Sequence, residues 1–433
     1  MKKNGFTLVE ITVCVVLLVT IFLIVVPKVN TMIKQKKQDS YNSLISTIKD
    51  AAQAYVYLNV NIVDDAIESQ GYYEVSIRTL QENELLENKL ENPLTGKNIP
   101  STSIVKIIKN NEEYIYKFSL DYQYLLEHII DLYSSEETRI SNGLKKDNTE
   151  DKNIRYYGSD PNNYVSFNNE LWRIIGVFGN NVKLVRKDSL GSLSWDSSES
   201  SINGGVGINQ WGESKDADGN EYAGADLQVY LNKMYYGGTS VTCYGGTKNS
   251  TTTCPTNTLD NTAKALIDNH TWNTGAPNHS TLYNSTTQSY DTVEFYKAER
   301  GTVNGKICSS GTYCNDTVTR TTEWTGYIGL PYVTDYAYAS SENDCNTKID
   351  RSSTYKCKNN NWMHRSTSTW YMSPYAFPNN ATSVWYVYGD GSSGLSLAAD
   401  ALSAFPTIYL KSNVLIDSGK GTSSDPYILK AGL

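Results

Sequence analysis

The chain has 433 residues, of which 39% are hydrophobic and 19% are charged, and it carries 33 tyrosines against 8 phenylalanines. This length predicts two or three domains, and the apolar content excludes a mostly disordered chain. The net charge of −8 argues against a dedicated nucleic-acid binder, because a phosphate backbone attracts basic surfaces. Four histidines leave little material for a His-rich metal or catalytic site.

An apolar run extends from Phe6 to Val26, contains one carboxylate at Glu10, and is closed by Pro27. A helix of this length spans ~31 Å, about the thickness of bilayer hydrocarbon. A secretory signal would have a shorter apolar region and a small-residue cleavage site after it. The run therefore predicts a transmembrane helix over residues 6–27, and the family resemblance described next implies a leader over residues 1–5.

The segment Lys2-Lys3-Asn4-Gly5-Phe6-Thr7-Leu8-Val9-Glu10 resembles the class III leader of type IV prepilins and pseudopilins. The resemblance implies that a prepilin peptidase cleaves between Gly5 and Phe6 and methylates the new amine of Phe6. It also implies that Glu10 neutralises the N-terminal amine of a neighbouring subunit during assembly, and that Pro27 kinks the helix. The implied partners are this peptidase, other pilin subunits, the inner assembly platform and membrane lipid. A generic membrane anchor remains the alternative.

Residues 28–120 are interpreted as a pilin-like helix with a small head. The spacing of Ile48, Ala52 and Val56 predicts that the long helix continues to about residue 58 with one apolar stripe. Residues 104–108 and 114–118 predict two strands of a hairpin. Residues 122–133 have a helical pattern, and residues 121–152 as a whole are interpreted as a helix and linker.

Residues 153–433 are interpreted as a large extracellular module. Strands are predicted over 164–167, 171–178 and 182–186, short helices over 226–232 and 262–269, and closing strands over 405–410 and 414–416. More than a hundred residues between them are interpreted as loops. The segments Leu171-Trp-Arg-Ile-Ile-Gly176 and Phe405-Pro-Thr-Ile-Tyr-Leu410 resemble C-type-lectin-like or sulfatase-modifying-factor-like domains. The predicted fold class is α+β: a long transmembrane and amphipathic helix, a small pilin-like antiparallel sheet, and a loop-rich, disulfide-stapled α+β domain.

Six of the seven cysteines fall in residues 153–433 as three pairs of near neighbours. They are Cys243 and Cys254, Cys308 and Cys314, and Cys345 and Cys357. Six cysteines allow fifteen pairings, and pairing between near neighbours is the simplest. Disulfides would place the module in an oxidising exterior, whereas zinc binding is disfavoured by the absence of Cys-x-x-Cys.

Other candidate sites are less specific. Asp216, Asp218 and Asn220 form an oxygen-rich turn that could hold calcium or could simply be solvated. The glycine comes two positions too early for an EF-hand, and no glutamate stands at position twelve. His270 and His279 lack a third ligand and are interpreted as loop residues. The tryptophans of the module could stack on a glycan, although most are expected in the core. No enzyme motif is present, so neither an enzyme nor a cofactor is predicted.

The sequence therefore favours a type IV pilin-like filament subunit, at a minor or tip position, whose head binds a glycan or a host or cell-surface ligand. A pseudopilin of a type II secretion or DNA-uptake machine is the alternative, and a membrane-tethered extracellular enzyme is a third. The predicted localisation is a single-pass membrane protein with its C-terminal domain outside the cytoplasm, reaching the cell surface or a filament after assembly.

Overall fold

The computed structural model describes residues 35–431, apart from residues 38, 94–95, 97, 111–112, 119–122, 198–209, 216–220, 304–305, 308–321, 352–355 and 376–381. It divides into two compact units, residues 1–122 and residues 123–433. The predicted leader (1–5), the predicted transmembrane span (6–27) and the residues Gly5, Phe6, Glu10 and Pro27 lie outside the described part.

Unit 1 packs helices against a three-stranded antiparallel sheet of order β1-β2-β3. Its elements are helix α1 (residues 39–58), α2 (Val60–Gln70), β1 (Tyr73–Ser76), α3 (Ile77–Glu82), β2 (Ile104–Asn110) and β3 (Glu113–Lys117). The stripe Ile48, Ala52 and Val56 on α1 shares one buried core with Val105 and Ile107. These last two alternate along β2, as a strand with one buried face requires. The hairpin predicted from residues 104–118 is present.

Unit 2 contains short helices. They are α4 (Leu125–Ser134), α5 (Glu136–Ser141), α6 (Asp226–Val229) continuing into a π-helix (Tyr230–Tyr236), α7 (Asn261–Leu266), α8 (His279–Leu282), α9 (Thr292–Glu299), α10 (Val333–Tyr338) and a 3₁₀ helix (Asn343–Asn346). Among the described residues, no helix combines the length and the hydropathy that crossing a bilayer requires.

Unit 2 also contains many short strands. They are β4 (Gln123–Tyr124), β5 (Leu144–Lys146), β6 (Ile154–Tyr156), β7 (Tyr164–Phe167), β8 (Glu170–Phe178), β9 (Asn181–Arg186), β10 (Ser192–Ser194), β11 (Ser214–Lys215), β12 (Glu221–Tyr222), β13 (Cys243–Tyr244), β14 (Thr251–Thr252), β15 (His270–Asn273), β16 (Tyr283–Asn284), β17 (Ser289–Asp291), β18 (Thr302–Val303), β19 (Lys306–Ile307), β20 (Glu323–Gly326), β21 (Ile328–Gly329), β22 (Lys348–Asp350), β23 (Thr369–Pro374), β24 (Ser383–Val387), β25 (Ser393–Leu397), β26 (Ala401–Ser403), β27 (Thr407–Leu410), β28 (Leu415–Ser418) and β29 (Tyr427–Lys430).

The largest sheet has ten strands in the order β21-β27-β9-β8-β7-β29-β28-β4, with β6 pairing to β8 and β5 to β6. A second sheet has five strands in the order β10-β26-β23-β24-β25. The hairpin between β7 and β8 turns at Asn168 and Asn169, whose φ angles of 56° and 55° are those of a two-residue type I′ turn. At the bulge of β8, Gly176 is required because a Cβ there would lie 2.1 Å from the carbonyl oxygen of Ile154.

The predicted fold class is wrong. Unit 2 is a mixed α and β structure with many strands in several sheets, not a loop-rich module. Its short strands pair over long distances in sequence, as β15 does with β20, and two- to four-residue strands of Ser, Thr and Asn leave no clear alternation to detect. The segment predicted as a linker also joins the large sheet, because β5 pairs with β6 and β4 pairs with β28.

The predicted single-pass membrane localisation is corrected as well. No helix in the described ranges is long and apolar enough to span a bilayer. Two disulfides, Cys243–Cys254 and Cys345–Cys357, indicate an extracellular or otherwise oxidising environment. The predicted presence of disulfide bonds is thus confirmed, whereas Cys308 and Cys314 lie outside the described residues.

Candidate functional site

A surface cavity of about 590 Å³ lies in unit 2, beside the three-stranded sheet β16-β17-β22 and the first turn of α9. Its lining is mostly polar. The lining residues are Leu282, Tyr283, Asn284, Ser285, Thr287, Ser289, Asp291, Glu294, Thr347 and Lys348. We call this cavity the β16–α9 pocket. Hydroxyl, amide and carboxylate groups beside one tyrosine ring suit a small polar ligand with hydroxyl groups.

Two side chains of the pocket accept hydrogen bonds from backbone N–H groups two or three residues later in the chain. Asn284 Oδ1 accepts hydrogen bonds from the backbone N–H groups of Thr286 (3.0 Å) and Thr287 (3.1 Å) and so shapes the turn after β16. Asp291 is the N-cap of α9, because its Oδ1 accepts from the N–H groups of Val293 and Glu294, both at 2.9 Å. The rim of the pocket is therefore fixed by local sequence, Asn-x-Thr-Thr and Asp-x-Val-Glu.

Glu294 supplies an acceptor to the pocket. Its Oε1 accepts a hydrogen bond from Lys297 Nζ at 2.8 Å. Its Oε2 is buried, and no hydrogen-bond partner for it is found within the described part of the chain. A buried acceptor without a partner is costly, and this oxygen is closed to a ligand as well as to water. The Glu294 side chain as a whole is 32% exposed and lines the pocket, and a carboxylate accepts hydrogen bonds from hydroxyl groups.

The aromatic wall of the pocket continues into a cluster around His279. The rings of His279 and Tyr283 lie 4.6 Å apart, and the guanidinium of Arg351 lies 5.5 Å from the Tyr283 ring. His279 Nδ1 lies 2.9 Å from Tyr290 Oη. Burial, reinforced by the positive charge of Arg351, lowers the pKa of His279 to about 4. His279 is therefore neutral at pH 7 and orients Tyr283 instead of presenting a charge.

A second polar cluster lies in the interior of unit 2 and has no access to solvent. Arg155 Nε donates to Asp147 Oδ2 and its Nη1 donates to Asp335 Oδ1, both at 2.7 Å. Lys183 Nζ donates to Asp335 Oδ2 at 2.6 Å. All four side chains are at most 1% exposed. We call these residues, Asp147, Arg155, Lys183 and Asp335, the buried ion cluster.

The cations of the buried ion cluster keep its two carboxyl groups ionised. The pKa of the Asp147 carboxyl is held below its usual range despite burial. The positive charge of Arg155 contributes most to this lowering, followed by hydrogen bonds from Thr149, Arg155 and Asn153. Lys183 and Arg155 do the same for the pKa of Asp335. Burial raises the pKa of both carboxyls and is the largest single influence, but the nearby charges and hydrogen bonds together outweigh it. The cluster is a structural element, because its groups cannot reach a substrate.

Glu299 is a further buried carboxyl, fully enclosed at the end of α9. Thr334 donates to it twice, from its backbone N–H to Oε1 at 3.1 Å and from its hydroxyl to Oε2. Burial raises the pKa of Glu299 to about 7, even though Arg300 and the Thr334 hydrogen bonds act to lower it. Glu299 is thus the buried carboxyl of this region that takes up a proton near neutral pH.

We expect the stability of unit 2 to depend on the proton of Glu299. Because its pKa is raised in the folded state from 4.5 to about 7, its stabilising effect is fully present below pH 4.5 and is lost as the pH rises to about 7. At 1.36 kcal/mol per pKa unit the change amounts to about 3 kcal/mol. Urea unfolding of the wild type and of Glu299→Gln should therefore diverge: between pH 4.5 and 7.5 the wild type loses about 3 kcal/mol relative to the variant.

The comparison uses the free energy of unfolding of the wild type minus that of Glu299→Gln at each pH. The lowered pKa values of Asp147 and Asp335 make stability rise with pH, but this effect is common to both proteins and cancels in the difference. The exposed Glu323→Gln is the control for removing one carboxylate. Parallel pH profiles for the wild type and Glu299→Gln would contradict the assignment.

The residues singled out from the sequence are distributed as follows. Asp216, Asp218 and Asn220 lie outside the described residues, and the described part contains no group of three metal-ligating side chains. His270 stacks on Tyr409 at 3.7 Å and contacts Asp268, away from the pocket. Seven of the eight tryptophans are buried in the cores of unit 2: Trp172, Trp195, Trp211, Trp272, Trp362, Trp370 and Trp385. They are therefore not a surface for stacking sugars.

Sequence reasoning missed both the β16–α9 pocket and the buried ion cluster. The pocket had one readable signal, the Asp-x-x-Glu pattern at 291–294 that begins a helix. The cluster had a weaker one, since Lys183 interrupts the apolar strand β9. No protein-family model, no curated protein and no solved structure matches this chain.

Proposed function

We propose that this chain is a minor or tip subunit of a type IV pilin-like filament, and that unit 2 is a head which binds a neutral, hydroxyl-rich ligand such as a surface glycan. The observation that carries the binding part is the β16–α9 pocket, whose lining combines the Tyr283 ring with the partly exposed carboxylate of Glu294. The subunit part rests on the leader-like residues Gly5, Phe6 and Glu10.

Unit 1 supplies surface for contacts with other subunits. At the junction of α1 and α2, Tyr57 is 86% exposed, Leu58 is 67% exposed and Ile62 is 59% exposed. Val60, between them, is 43% exposed, so four large apolar side chains are exposed within residues 57–62. Exposed apolar patches of this kind mark protein contacts. In the proposed filament this patch packs on a neighbouring subunit.

The size of unit 2 supports placement at a minor or tip position. Residues 123–433 form one compact unit, which is much larger than the helix-and-sheet unit of residues 1–122. Repeated at every position, such a head would crowd the surface of a closely packed filament. Immunogold labelling of sheared filaments tests this proposal: we expect gold at filament ends or at rare sites. Uniform labelling, or absence of the protein from filaments, would contradict it.

The ligand is tested by binding of the full chain to an array of neutral oligosaccharides, with Tyr283→Ala and Glu294→Gln as variants. A hydrogen bond to a charged acceptor contributes about 1.5–3 kcal/mol, so we expect Glu294→Gln to weaken binding by tenfold or more. Tyr283→Ala should weaken it by a similar factor, because the apolar face of a sugar loses its ring contact.

Matched controls are the exposed Glu323→Gln, on β20, and Tyr388→Ala, just after β24, which remove the same groups outside the pocket. These controls should bind as the wild type does. Binding that both pocket variants leave unchanged would exclude the β16–α9 pocket as the ligand site.

A further inference from the structure

One contact within the buried ion cluster joins two distant parts of the chain. Lys183 lies on β9 in the ten-stranded sheet, and Asp335 lies on α10, 152 residues later. Lys183 Nζ and Asp335 Oδ2 are 2.6 Å apart, and the two side chains are 0% and 1% exposed. This hydrogen bond holds the amine nitrogen against the carboxyl group whose Cγ it would attack, so the two reacting groups are already in contact.

The surroundings of Lys183 Nζ are aromatic. The ring centroid of Tyr332 lies 4.2 Å from Nζ, and those of Phe178 and Tyr409 both lie 5.3 Å from it. These rings exclude water, which would otherwise solvate the ammonium and compete for the carboxyl. Burial lowers the pKa of Lys183 to about 8, so the neutral amine is within reach near physiological pH.

The two oxygens of Asp335 have different partners. Oδ1 accepts from Arg155 Nη1 at 2.7 Å, whereas Oδ2 accepts from Lys183 Nζ and from the backbone N–H of Tyr332 at 2.9 Å. Arg155 is thus placed to stabilise negative charge that develops on Oδ1 when a nucleophile attacks Cγ. Oδ2 is the oxygen that receives protons from the lysine.

We propose that Lys183 and Asp335 condense to an intramolecular isopeptide bond. One proton passes from the Lys183 ammonium to Oδ2, and the Nζ lone pair attacks Cγ. A second proton passes from nitrogen to Oδ2, and the Cγ–Oδ2 bond breaks to release water. The product is an amide with one N–H, whose carbonyl oxygen is Oδ1 and stays hydrogen-bonded to Arg155. Ammonium plus carboxylate equals amide plus water, so no co-reactant is required. Arg155 is a positioning residue.

Peptide mapping of the purified full chain by mass spectrometry tests the bond. After reduction and trypsin digestion, we expect residues 174–186, uncut after Lys183, joined to residues 321–348, with a mass lower than the sum of the two peptides by one water. The Lys183→Arg variant, which keeps the charge, should give only separate peptides. Lys145 is an internal control, because its Nζ lies 2.8 Å from Asn346 Oδ1 at a half-buried site, and trypsin should cut after it.

A free peptide 174–183 as the main wild-type product would overturn the proposal and leave the contact as an ion pair. The wild-type map decides this even where Lys183→Arg fails to fold. The result is independent of filament placement and of ligand binding.

Discussion

Replacing Arg155 by methionine is expected to lower the free energy of unfolding of unit 2 by about 3–5 kcal/mol, because it leaves the Asp147 carboxylate buried without its ion-pair partner and Asp335 with Lys183 alone. The guanidinium of Arg155 joins Asp147 and Asp335 at 2.7 Å each, and none of the three side chains is more than 1% exposed. The methionine fills similar volume, so the loss measures charge and hydrogen bonding more than a cavity. The measurement is the midpoint of urea unfolding at pH 7.

Two companion variants separate charge from packing. Lys430→Met breaks an ion pair with Asp417 of the same length, 2.7 Å, but both partners are about half exposed, so we expect a loss of no more than about 1 kcal/mol. Adding Asp147→Asn to Arg155→Met should recover part of the lost stability, because it neutralises one of the carboxylates left behind. A loss for Arg155→Met as small as that for Lys430→Met would show that the buried ion cluster does not stabilise the fold.

The parts of the fold that sequence reasoning found are those with local signals. Strands β7, β8 and β9 are predicted because apolar segments are separated by two short polar turns, at Asn168-Asn169 and at Gly179-Asn180, and all these signals lie within residues 164–186. The unit 1 hairpin was found for the same reason. Local propensity and turn chemistry are readable from a single sequence.

The parts it missed depend on contacts between distant residues. Strand β29 runs parallel to β7 and pairs also with β28, which in turn pairs with β4, so the end of the chain completes a sheet begun near residue 123. The β16–α9 pocket likewise needs β22 beside β17. Neither pairing leaves a pattern in the two- to four-residue strands that take part, and the large sheet therefore looked like separate pieces joined by loops.

The buried ion cluster was missed for a different reason. A lysine within an apolar strand is normally assigned to the solvent face, because charged side chains are rarely buried unless paired. Strand β9 is covered on both faces, so Lys183 points into the interior and its partner comes from α10. Only the tertiary structure identifies Asp335, one of several aspartates in the sequence, as that partner.

Replacing Trp385 by alanine is the second change for which we expect a loss of about 3–5 kcal/mol, here from a cavity in the core that supports the pocket. Trp385 is fully buried on β24, and its ring meets Phe295 at 4.8 Å and Tyr290 at 5.2 Å, both edge to face. Its Nε1 donates to the carbonyl oxygen of Pro277 at 2.9 Å. The variant removes the ring contacts and leaves that buried carbonyl without its donor.

Trp385 also connects the core to the β16–α9 pocket. The Tyr290 ring touches both Trp385 and His279, and the His279 ring lies 4.6 Å from Tyr283 of the pocket wall. Urea unfolding should shift to lower midpoints by about 1 M for Trp385→Ala, by less for Trp385→Phe, and by little for the exposed Tyr388→Ala. If the pocket is the ligand site, Trp385→Ala should weaken binding even where the variant is still folded, because the Tyr290–His279–Tyr283 wall loses its support. A folded Trp385→Ala that binds as tightly as the wild type would show that the wall is held by the β16–β17–β22 sheet alone.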